Sequence, residues 1–415
     1  MTDTCPTCAV PLAVEEDEPP WCPRCEWNLD ALAPIEHSTW FYRQIRTRDH
    51  RAGFRADKLL ATGTPVRPGG GHGLLVAVSA VLLAVPAAAV VAAIWLLVAG
   101  PVVIGLLLLL VAYLVRPRLG RVRTILKGLY RLDADRAPAL HALIDRVAAA
   151  TGAPRPDIVA VEPGLWGAWT TVAGIRQRRI LTLGIPLVAS VERGELVALL
   201  GHELGHFANR DSRRRMLTMP ARVTFGHIAS GLRPSRVSGM ERDLLGLYLI
   251  VYEVWRLVSG MLSWLAFAVH ATIHVSAARD DRRAEQEADR LAVRAAGRAA
   301  TLGLLDATAA FPLFHGAISG VARKGYAMAE WRERVALSRA RNESRTGTLR
   351  QLTIRTEASL FSSHPSTGRR HQFVSALPDT APAVTVNDAE WATVVRELAP
   401  YAETLRKELA EQYEM

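Results

Sequence analysis

The segment LLGHELGHFANRD, residues 199–211, places two histidines and a glutamate at a spacing that suits metal chemistry. Apolar residues upstream recur at helical intervals, which predicts that the segment is a helix. On a helix His202 and His206 lie one turn apart on the same face, so both imidazoles can bind one zinc ion. Glu203 then lies beside a metal-bound water, from which a carboxylate can take a proton. The alternative is a chance pattern of two surface histidines.

A third metal ligand has to come from another segment. Residues 276–297, SAARDDRRAEQEADRLAVRAAG, form a second stretch with helical periodicity. Glu285 and Asp289 lie on roughly one face of that predicted helix, together with Ala288 and Ala292. The spacing alone leaves another use open, because neighbouring arginines could pair with these carboxylates on a solvated helix.

All four cysteines lie near the start of the chain, as two C-x-x-C pairs. The first pair is Cys5 and Cys8, and the second is Cys22 and Cys25. Paired knuckles of this kind suit a tetrahedral zinc site with four cysteine ligands, which leaves the ion no open position for catalysis. A structural zinc ribbon, or one that recruits a protein partner, is therefore predicted. Redox dithiols or disulfides are the alternative, which a cytoplasmic location disfavours.

An uncharged segment in the first third of the chain indicates membrane insertion. No Asp, Glu, Lys or Arg occurs from Pro68 to Val115. One membrane crossing needs ~20 apolar residues, so the 42 residues of 74–115 allow two crossings. The turn is predicted at Gly100-Pro101, where both residue types interrupt a helix. A single buried helix is the alternative, and it would be about 60 Å long.

Basic residues flank the predicted transmembrane hairpin on both sides, which predicts that both flanks are cytoplasmic. The net charge of +10 is then explained by apposition to anionic lipid, and nucleic-acid binding is not expected. The polar start of the chain gives no sign of a secretory signal peptide. The flanking basic residues are Arg43, Arg46, Arg48, Arg51, Arg55, Lys58 and Arg67 before the hairpin, and Arg116, Arg118, Arg121, Arg123 and Lys127 after it.

A second hydrophobic region, residues 244–278, lies between the two halves of the candidate metal site. If His202 and Glu285 bind one ion, the chain between them must cross the membrane an even number of times. The region is therefore predicted to be either a second hairpin or a hydrophobic helix that does not cross. His270 and His274 are also one helical turn apart, but without an adjoining carboxylate they are better explained as helix-face residues.

The motifs together carry a family resemblance. HExxH at residues 202–206, followed some eighty residues later by ExxAD at 285–289, resembles the HtpX-type membrane zinc metallopeptidases. That family also contains the CaaX prenyl endopeptidases. The resemblance implies that Glu285 is the third zinc ligand and that Asp289 holds one of the histidines.

The resemblance extends from about residue 116 to residue 377. The segment SSHPSTGRRHQFVSAL is similar to a later family element, which implies that His364 and Arg370 lie near the substrate carbonyl and the oxyanion. Where the family usually reads Asn-Ala-Phe at its substrate-binding edge, this chain has Gly167-Ala168-Trp169. The expected consequence is a different cleavage preference with zinc binding retained.

The predicted fold is mainly α with a small β-sheet, in which a zincin-like metallopeptidase domain follows a transmembrane helical hairpin and an N-terminal four-cysteine zinc ribbon. The predicted domains are a zinc ribbon at 1–36, a basic juxtamembrane linker at 37–73, the hairpin at 74–115, the metallopeptidase domain at 116–385 and a C-terminal helix at 386–415.

The predicted function is zinc-dependent endoproteolysis of membrane or membrane-proximal proteins, with protein quality control as the family-level role. One catalytic and one structural zinc ion are expected. The protein is expected in the plasma membrane as a multi-pass protein, with its N-terminus and catalytic domain cytoplasmic. Two alternatives are a non-catalytic membrane scaffold whose ribbon recruits a partner, and CaaX-type processing of prenylated proteins, for which the hydrophobic segments are too few.

Overall fold

The computed structural model describes residues 4–33, 40–61, 71–115, 121–174, 176–209, 218, 223–233, 247–322, 328–362 and 364–412. The structure is mostly helical with one four-stranded sheet, which confirms the predicted fold class. Arg67, Arg116 and Arg118 of the predicted basic flanks lie outside the described residues.

The helices are named in chain order. They are α1 Trp40–Ala61, α2 Gly71–Ala99, α3 Val102–Val115, α4 Val122–Ile125, α5 Pro138–Thr151, α6 Ile185–Ser190, α7 Arg193–Ala208, α8 at 223–231, α9 Leu247–Ala296, α10 Arg298–Ala309, α11 Phe311–Ala322, α12 Met328–Arg341, α13 Thr346–Thr356, α14 Thr367–Ser375 and α15 Asp388–Gln412. A 3-10 turn at Glu343–Arg345 precedes α13.

The chain divides into two compact units. The first unit contains Met1–Arg67, Arg121–Arg213 and Asp281–Met415, and the second contains Pro68–Gly120 and Arg214–Asp280. All of the residues in the candidate metal site belong to the first unit.

The second unit contains the uncharged segment as two helices, α2 and α3. The helices are separated at Gly100-Pro101, where the predicted turn lies and where Gly100 has a φ of +118° that favours glycine. They pack closely, since a Cβ at Gly105 would lie 2.9 Å from the Leu97 side chain. Large apolar side chains on α2, among them Trp95 and Val98, are exposed, which suits contact with lipid.

Among the described residues, two helices are long and apolar enough to cross a membrane, Gly73–Ala99 and Ile250–Ala296. A third span is counted if the bent pair Arg298–Ala309 and Phe311–Val321 is one span. The described part of helix α3 has 14 residues and is about 21 Å long. Residues 247–278 form one uninterrupted helix within α9, so no turn divides the second hydrophobic region.

The sheet of the first unit has the strand order β1-β2-β4-β3. Its strands are β1 Tyr130–Arg131, β2 Ile158–Glu162, β3 Ala168–Ala173 and β4 Arg178–Gly184. β2 pairs with β4 in parallel, and β3 pairs with β4 antiparallel. The apolar residues of β2 and β4 are buried, as central strands require, which leaves β3 at the edge of the sheet.

Helix α7 begins with a capping box, in which the side chains of Glu192 and Glu195 each accept a hydrogen bond from the backbone N–H of the other residue. The Glu192 backbone N–H lies 2.8 Å from the Glu195 carboxylate. Glu195 is buried and also receives two hydrogen bonds from Arg339, at 2.6 and 2.9 Å. The start of the helix that carries the HExxH motif is therefore fixed by charge-assisted bonds.

Two glycines on α7 allow α9 to approach closely. A Cβ at Gly201 would lie 3.0 Å from the Ala292 Cα and 3.0 Å from the Ala295 Cβ. A Cβ at Gly205 would lie 3.1 Å from the Ala288 Cα. Because these residues carry little or no side chain, the backbones of the two helices come within reach, and Glu285 can approach the histidines of α7.

Helix α1 lies within the segment predicted to be a linker. It packs against other elements of the first unit, to which it belongs. A Cβ at Gly53 would lie only 2.5 Å from the Ser359 backbone N. The Asp57 carboxylate binds Arg282 at 2.6 Å and accepts the Ser366 backbone N–H at 3.0 Å. Helix α1 therefore supports the segment that leads into α14.

We expect Gly201→Val to disrupt the contact between α7 and α9. Overpacking of this kind costs about 1–3 kcal/mol, so the midpoint of thermal unfolding in detergent should fall. The matched control is Gly316→Val on α11, where nothing lies within 4 Å of the added Cβ. Equal unfolding midpoints for the two variants would contradict the close approach.

Candidate metal centre

Four side chains from three parts of the first unit converge on one point. His202, His206, Glu285 and His364 each offer one ligand atom, and these atoms all lie within 4.8 Å of one another. The His202 Nε2 lies 3.4 Å from the Glu285 carboxylate, and the His206 Nε2 lies 3.6 Å from it. The group therefore contains the two histidines that the motif spacing predicts as ligands and the glutamate that the family resemblance predicts, although α7 and α9 are far apart in the chain.

Asp289 and Arg370 both contact His202. The Asp289 carboxylate is 2.9 Å from the His202 Nδ1 and receives two bonds from Arg370, at 2.6 and 3.0 Å. The Arg370 guanidinium also lies 3.1 Å from the His202 Nδ1. An acceptor on Nδ1 fixes the imidazole orientation and leaves Nε2 directed towards the cluster.

The carboxylates around His202 favour positive charge at this place. Burial and the nearby Arg370 lower the pKa of His202, but hydrogen bonds to Asp289 and Glu285 outweigh them and raise the pKa to about 9. The same carboxylates would stabilise a metal cation that takes the place of the proton on Nε2.

Glu203 is buried on α7, next to the cluster. The Thr170 hydroxyl on β3 donates to the Glu203 carboxylate at 3.2 Å, and it lies 3.3 Å from the Glu203 carbonyl oxygen. Thr170 was not among the residues predicted from sequence. Little in the sequence selects this residue, since threonine is common in strands. Only the packing of β3 on α7 brings its hydroxyl to the Glu203 carboxylate.

The segment Gly167-Ala168-Trp169 lies at the start of edge strand β3. Side chains alternate along a strand, so Trp169 and Thr170 point to opposite faces. Trp169 packs with Ile158 and Ile180, whereas Thr170 faces α7. The tryptophan therefore packs on the sheet face opposite the metal cluster.

His364 approaches the cluster from the loop before α14. Its Nδ1 lies 2.6 Å from the Glu285 carboxylate, and its side chain is about 39% exposed, whereas Glu285 is buried. The loop is held by its neighbours, because the Ser362 hydroxyl donates to the His364 carbonyl oxygen and Asp57 accepts the Ser366 N–H. His364 is thus the member of the cluster most open to a substrate.

The four cysteines form the second group that could hold a metal. The Sγ–Sγ distances are 3.6 Å for Cys5–Cys25, 3.4 Å for Cys8–Cys22 and 3.7 Å for Cys8–Cys25. Four thiolates bound tetrahedrally at 2.3 Å would be separated by roughly 3.8 Å. Burial raises the pKa of Cys5, but backbone hydrogen bonds outweigh it and lower the pKa to about 6, which favours the thiolate. A backbone hydrogen bond lowers the pKa of Cys25, but burial and the neighbouring thiols outweigh it and raise the pKa to about 12, so the negative charge is favoured on only part of the group.

His270 and His274 meet edge to face on α9, with ring centroids 4.4 Å apart. Neither belongs to the two metal-ligand groups found among the described residues. The arrangement agrees with two neighbouring residues on one helix face.

The comparisons with known proteins agree with this geometry. The model of the family described as Peptidase family M48 matches residues 134–377, which include every member of the histidine and glutamate cluster. The chain belongs to peptidase family M48.

One relative is a protein described as a protease HtpX homolog from Moorella thermoacetica, which is 33% identical over 84 residues. The match covers 20% of this chain and 28% of the relative, so the chain spans less than a third of that relative's length. No solved structure matches the chain. The predicted resemblance to the HtpX-type members of the family is confirmed, and with the candidate spans it indicates a membrane protein of the metallopeptidase class.

We expect Asp289→Asn to weaken metal binding at the histidine site about 10- to 100-fold, because His202 loses its anionic partner. A titration of the purified protein with a competing chelator would measure this affinity, with the metal of the cysteine group as internal reference. The matched control is Glu287→Gln on the same helix, where the exposed carboxylate pairs with Arg290 and lies outside the metal cluster. Equal affinities for the two variants would contradict the role of Asp289.

Proposed function

We propose that the protein is a zinc-dependent endopeptidase whose active site is the cluster of His202, His206, Glu285 and His364. The convergence of these residues, with Glu203 on the same helix as two of them, is the observation that carries the proposal. Membership of a peptidase family supports it.

Zinc fits the donor set. Two imidazoles and a carboxylate are a ligand set that catalytic zinc uses while one position stays open. Bonds of 2.1 Å in tetrahedral geometry separate ligand atoms by about 3.4 Å, close to the 3.4 and 3.6 Å between the histidine nitrogens and Glu285. When bound, zinc would lower the pKa of a water molecule and polarise the substrate carbonyl.

The protein's own residues transfer the proton of the attacking water and stabilise the negative charge on the carbonyl oxygen. Glu203 accepts a proton from the attacking water as the new C–O bond forms, and it delivers that proton to the leaving nitrogen as the C–N bond breaks. The Thr170 hydroxyl holds the carboxylate during both steps. His364 and Arg370 stabilise the negative charge that develops on the carbonyl oxygen.

The substrate is proposed to be a protein, bound as an extended segment along β3. Gly167, Ala168 and Trp169 lie at the start of this edge strand, whose outer side offers backbone groups to a peptide. Candidate membrane spans in the same chain favour membrane or membrane-proximal proteins as substrates. We also propose that this proteolysis serves protein quality control.

The protein is proposed to cross the plasma membrane several times, with the N-terminus and the catalytic domain cytoplasmic. Since His206 and Glu285 meet in one cluster, the chain between them must cross an even number of times. Helices α8 and α9 contact each other, with the Ser263 hydroxyl 2.7 Å from the Ala229 carbonyl oxygen. We propose this pair as the second hairpin and α2–α3 as the first.

The proposed domains follow the sequence-based boundaries, with the ribbon at 1–36, the first hairpin at 74–115 and the metallopeptidase domain at 116–385. Helix α1 is assigned to the first unit because of its contacts with Ser359 and Arg282. A non-catalytic scaffold is the second candidate, and the retained Glu203 and ligand set disfavour it.

We expect Glu203→Gln to abolish casein cleavage in detergent while leaving the metal content unchanged, because the base is lost and every proposed ligand is kept. Wild type and variant should each hold two zinc ions. A metal-loaded wild type without activity on casein and on membrane-protein substrates would contradict the peptidase proposal. A wild type that holds only the ribbon metal would contradict the assignment of Glu285.

We expect Thr170→Val to lower kcat about tenfold, because loss of a hydrogen bond to a charged group costs about 1.5 kcal/mol in positioning the base. The matched control is Thr171→Val, the next residue of the same strand, which points to the other face. Measurement of kcat for both variants at equal metal content would test this. The same kcat for both variants would leave Thr170 without a role.

A further inference from the structure

The N-terminal ribbon is fixed to two helices of the first unit. Trp21 is fully buried and packs with Leu29 and with Ile354 of α13. Its indole N–H donates to the Gln351 side-chain oxygen at 2.8 Å, and the Gln351 amide donates in return to the Pro23 carbonyl oxygen at 2.7 Å. The ribbon is thus held by an apolar contact and by paired hydrogen bonds.

A buried arginine of α13 anchors the backbone of the ribbon. Arg355 is 1% exposed, and it donates to the carbonyl oxygens of Pro19, Asn28 and Leu29 at 2.6, 2.8 and 3.3 Å. Its guanidinium also lies over the Trp21 ring at 4.7 Å. A buried guanidinium with this many acceptors fixes their relative positions, because each lost bond would leave a charged donor unsatisfied.

A second buried arginine connects the ribbon to α14. Arg369 is 4% exposed and forms a bidentate pair with Glu26, at 2.6 and 2.7 Å. The Gln372 amide donates to the same carboxylate at 3.0 Å. Both Arg369 and Gln372 belong to α14, so one ribbon side chain holds two positions of this helix.

Glu26 directly follows the cysteine knuckle. Its backbone N–H donates to the Cys22 carbonyl oxygen at 3.1 Å, and its φ of +57° is a conformation that a tight turn imposes. A metal held by Cys22 and Cys25 would lock this turn and so fix the direction of the Glu26 side chain.

The next residue of α14 belongs to the candidate active site. Arg370 binds Asp289 and lies 3.1 Å from His202. His364 lies at the start of the same segment, against Glu285. A displacement of α14 would therefore move the two groups that the mechanism assigns to the oxyanion.

We propose that the four-cysteine ribbon is an internal positioning module for the active site, which acts through the Glu26–Arg369 pair on α14. Its metal holds the knuckle, the knuckle directs Glu26, and Glu26 fixes the segment from His364 to Arg370. Glu26 and Arg369 are positioning residues and do not touch the substrate. The kinetic part of this proposal rests on the proposed peptidase function.

The test compares Glu26→Gln with Glu15→Gln in the full-length chain in detergent. Glu15 also joins the ribbon to the core by an ion pair, but its partner Arg345 lies in the 3-10 turn before α13 and not on α14. Hydrogen exchange of residues 364–375, metal content, and kcat and KM on labelled casein are measured for each variant.

For Glu26→Gln we expect faster exchange of residues 364–375, two metal ions per chain, and a kcat lowered roughly tenfold with little change in KM, as a small misplacement of charged groups predicts. Glu15→Gln should match the wild type within about twofold in kcat and show unchanged exchange, because its pair does not reach α14. Equal behaviour of the two variants would overturn the proposal.

Two further variants test the Glu26–Arg369 pair and the ribbon metal separately. Arg369→Gln combined with Glu26→Gln should lose no more activity than Arg369→Gln alone, since the single change already removes the pair with Glu26. Cys25→Ser should reduce the metal content from two ions to one and accelerate exchange of residues 364–375 in the same way. Unchanged exchange with the ribbon metal lost would overturn the coupling.

Hydrogen exchange also separates this proposal from the proposed function. If the wild type cleaves no casein, the endopeptidase proposal loses support, while the exchange of residues 364–375 still decides whether the ribbon positions α14.

Discussion

The close contact between α7 and α9 is the constraint on which the candidate site depends. Gly201 and Gly205 face Ala288, Ala292 and Ala295, and the two backbones approach because no larger side chain separates them. This approach brings Glu285 within 3.4 to 3.6 Å of the histidine nitrogens. Gly205 lies inside the HExxH motif itself, so the motif supplies two ligands and also part of the packing surface that brings the third ligand to them.

Buried ion pairs fix how the elements around this contact pack against one another. Asp57, Asp289, Arg355 and Arg369 are all buried, and each forms an ion pair with a residue on a different element, Glu18 in the case of Arg355. Removing one partner leaves an uncompensated charge, so such pairs penalise alternative arrangements more than they add stability. A ribbon that only recruited a partner would not need buried contacts with α13 and α14. The ribbon and α1, which precede the family-matched region of 134–377, therefore contact elements that carry residues of the candidate active site.

The sequence by itself determined the local features of this protein. HExxH on a helix, the ExxAD helix, the two cysteine pairs and the break at Gly100-Pro101 depend on spacing and residue type, and these are properties of neighbouring residues. The family membership also follows from such motifs. The assignment of Glu285 and His364 to one site came from resemblance, because no local pattern relates residues about eighty positions apart.

Only the tertiary structure decided which distant residues meet. Thr170 contacts Glu203 because β3 packs on α7, and Trp169 points away because side chains alternate along the strand. The segment predicted as a basic linker contains helix α1, whose buried Asp57 pairs with Arg282. The many arginines of this segment suggested an exposed basic linker. A charge pattern does not show that one of the carboxylates in the segment, Asp57, is buried. The Glu26–Arg369 pair joins residues more than three hundred positions apart, and its geometry exists only once the ribbon and α14 have packed.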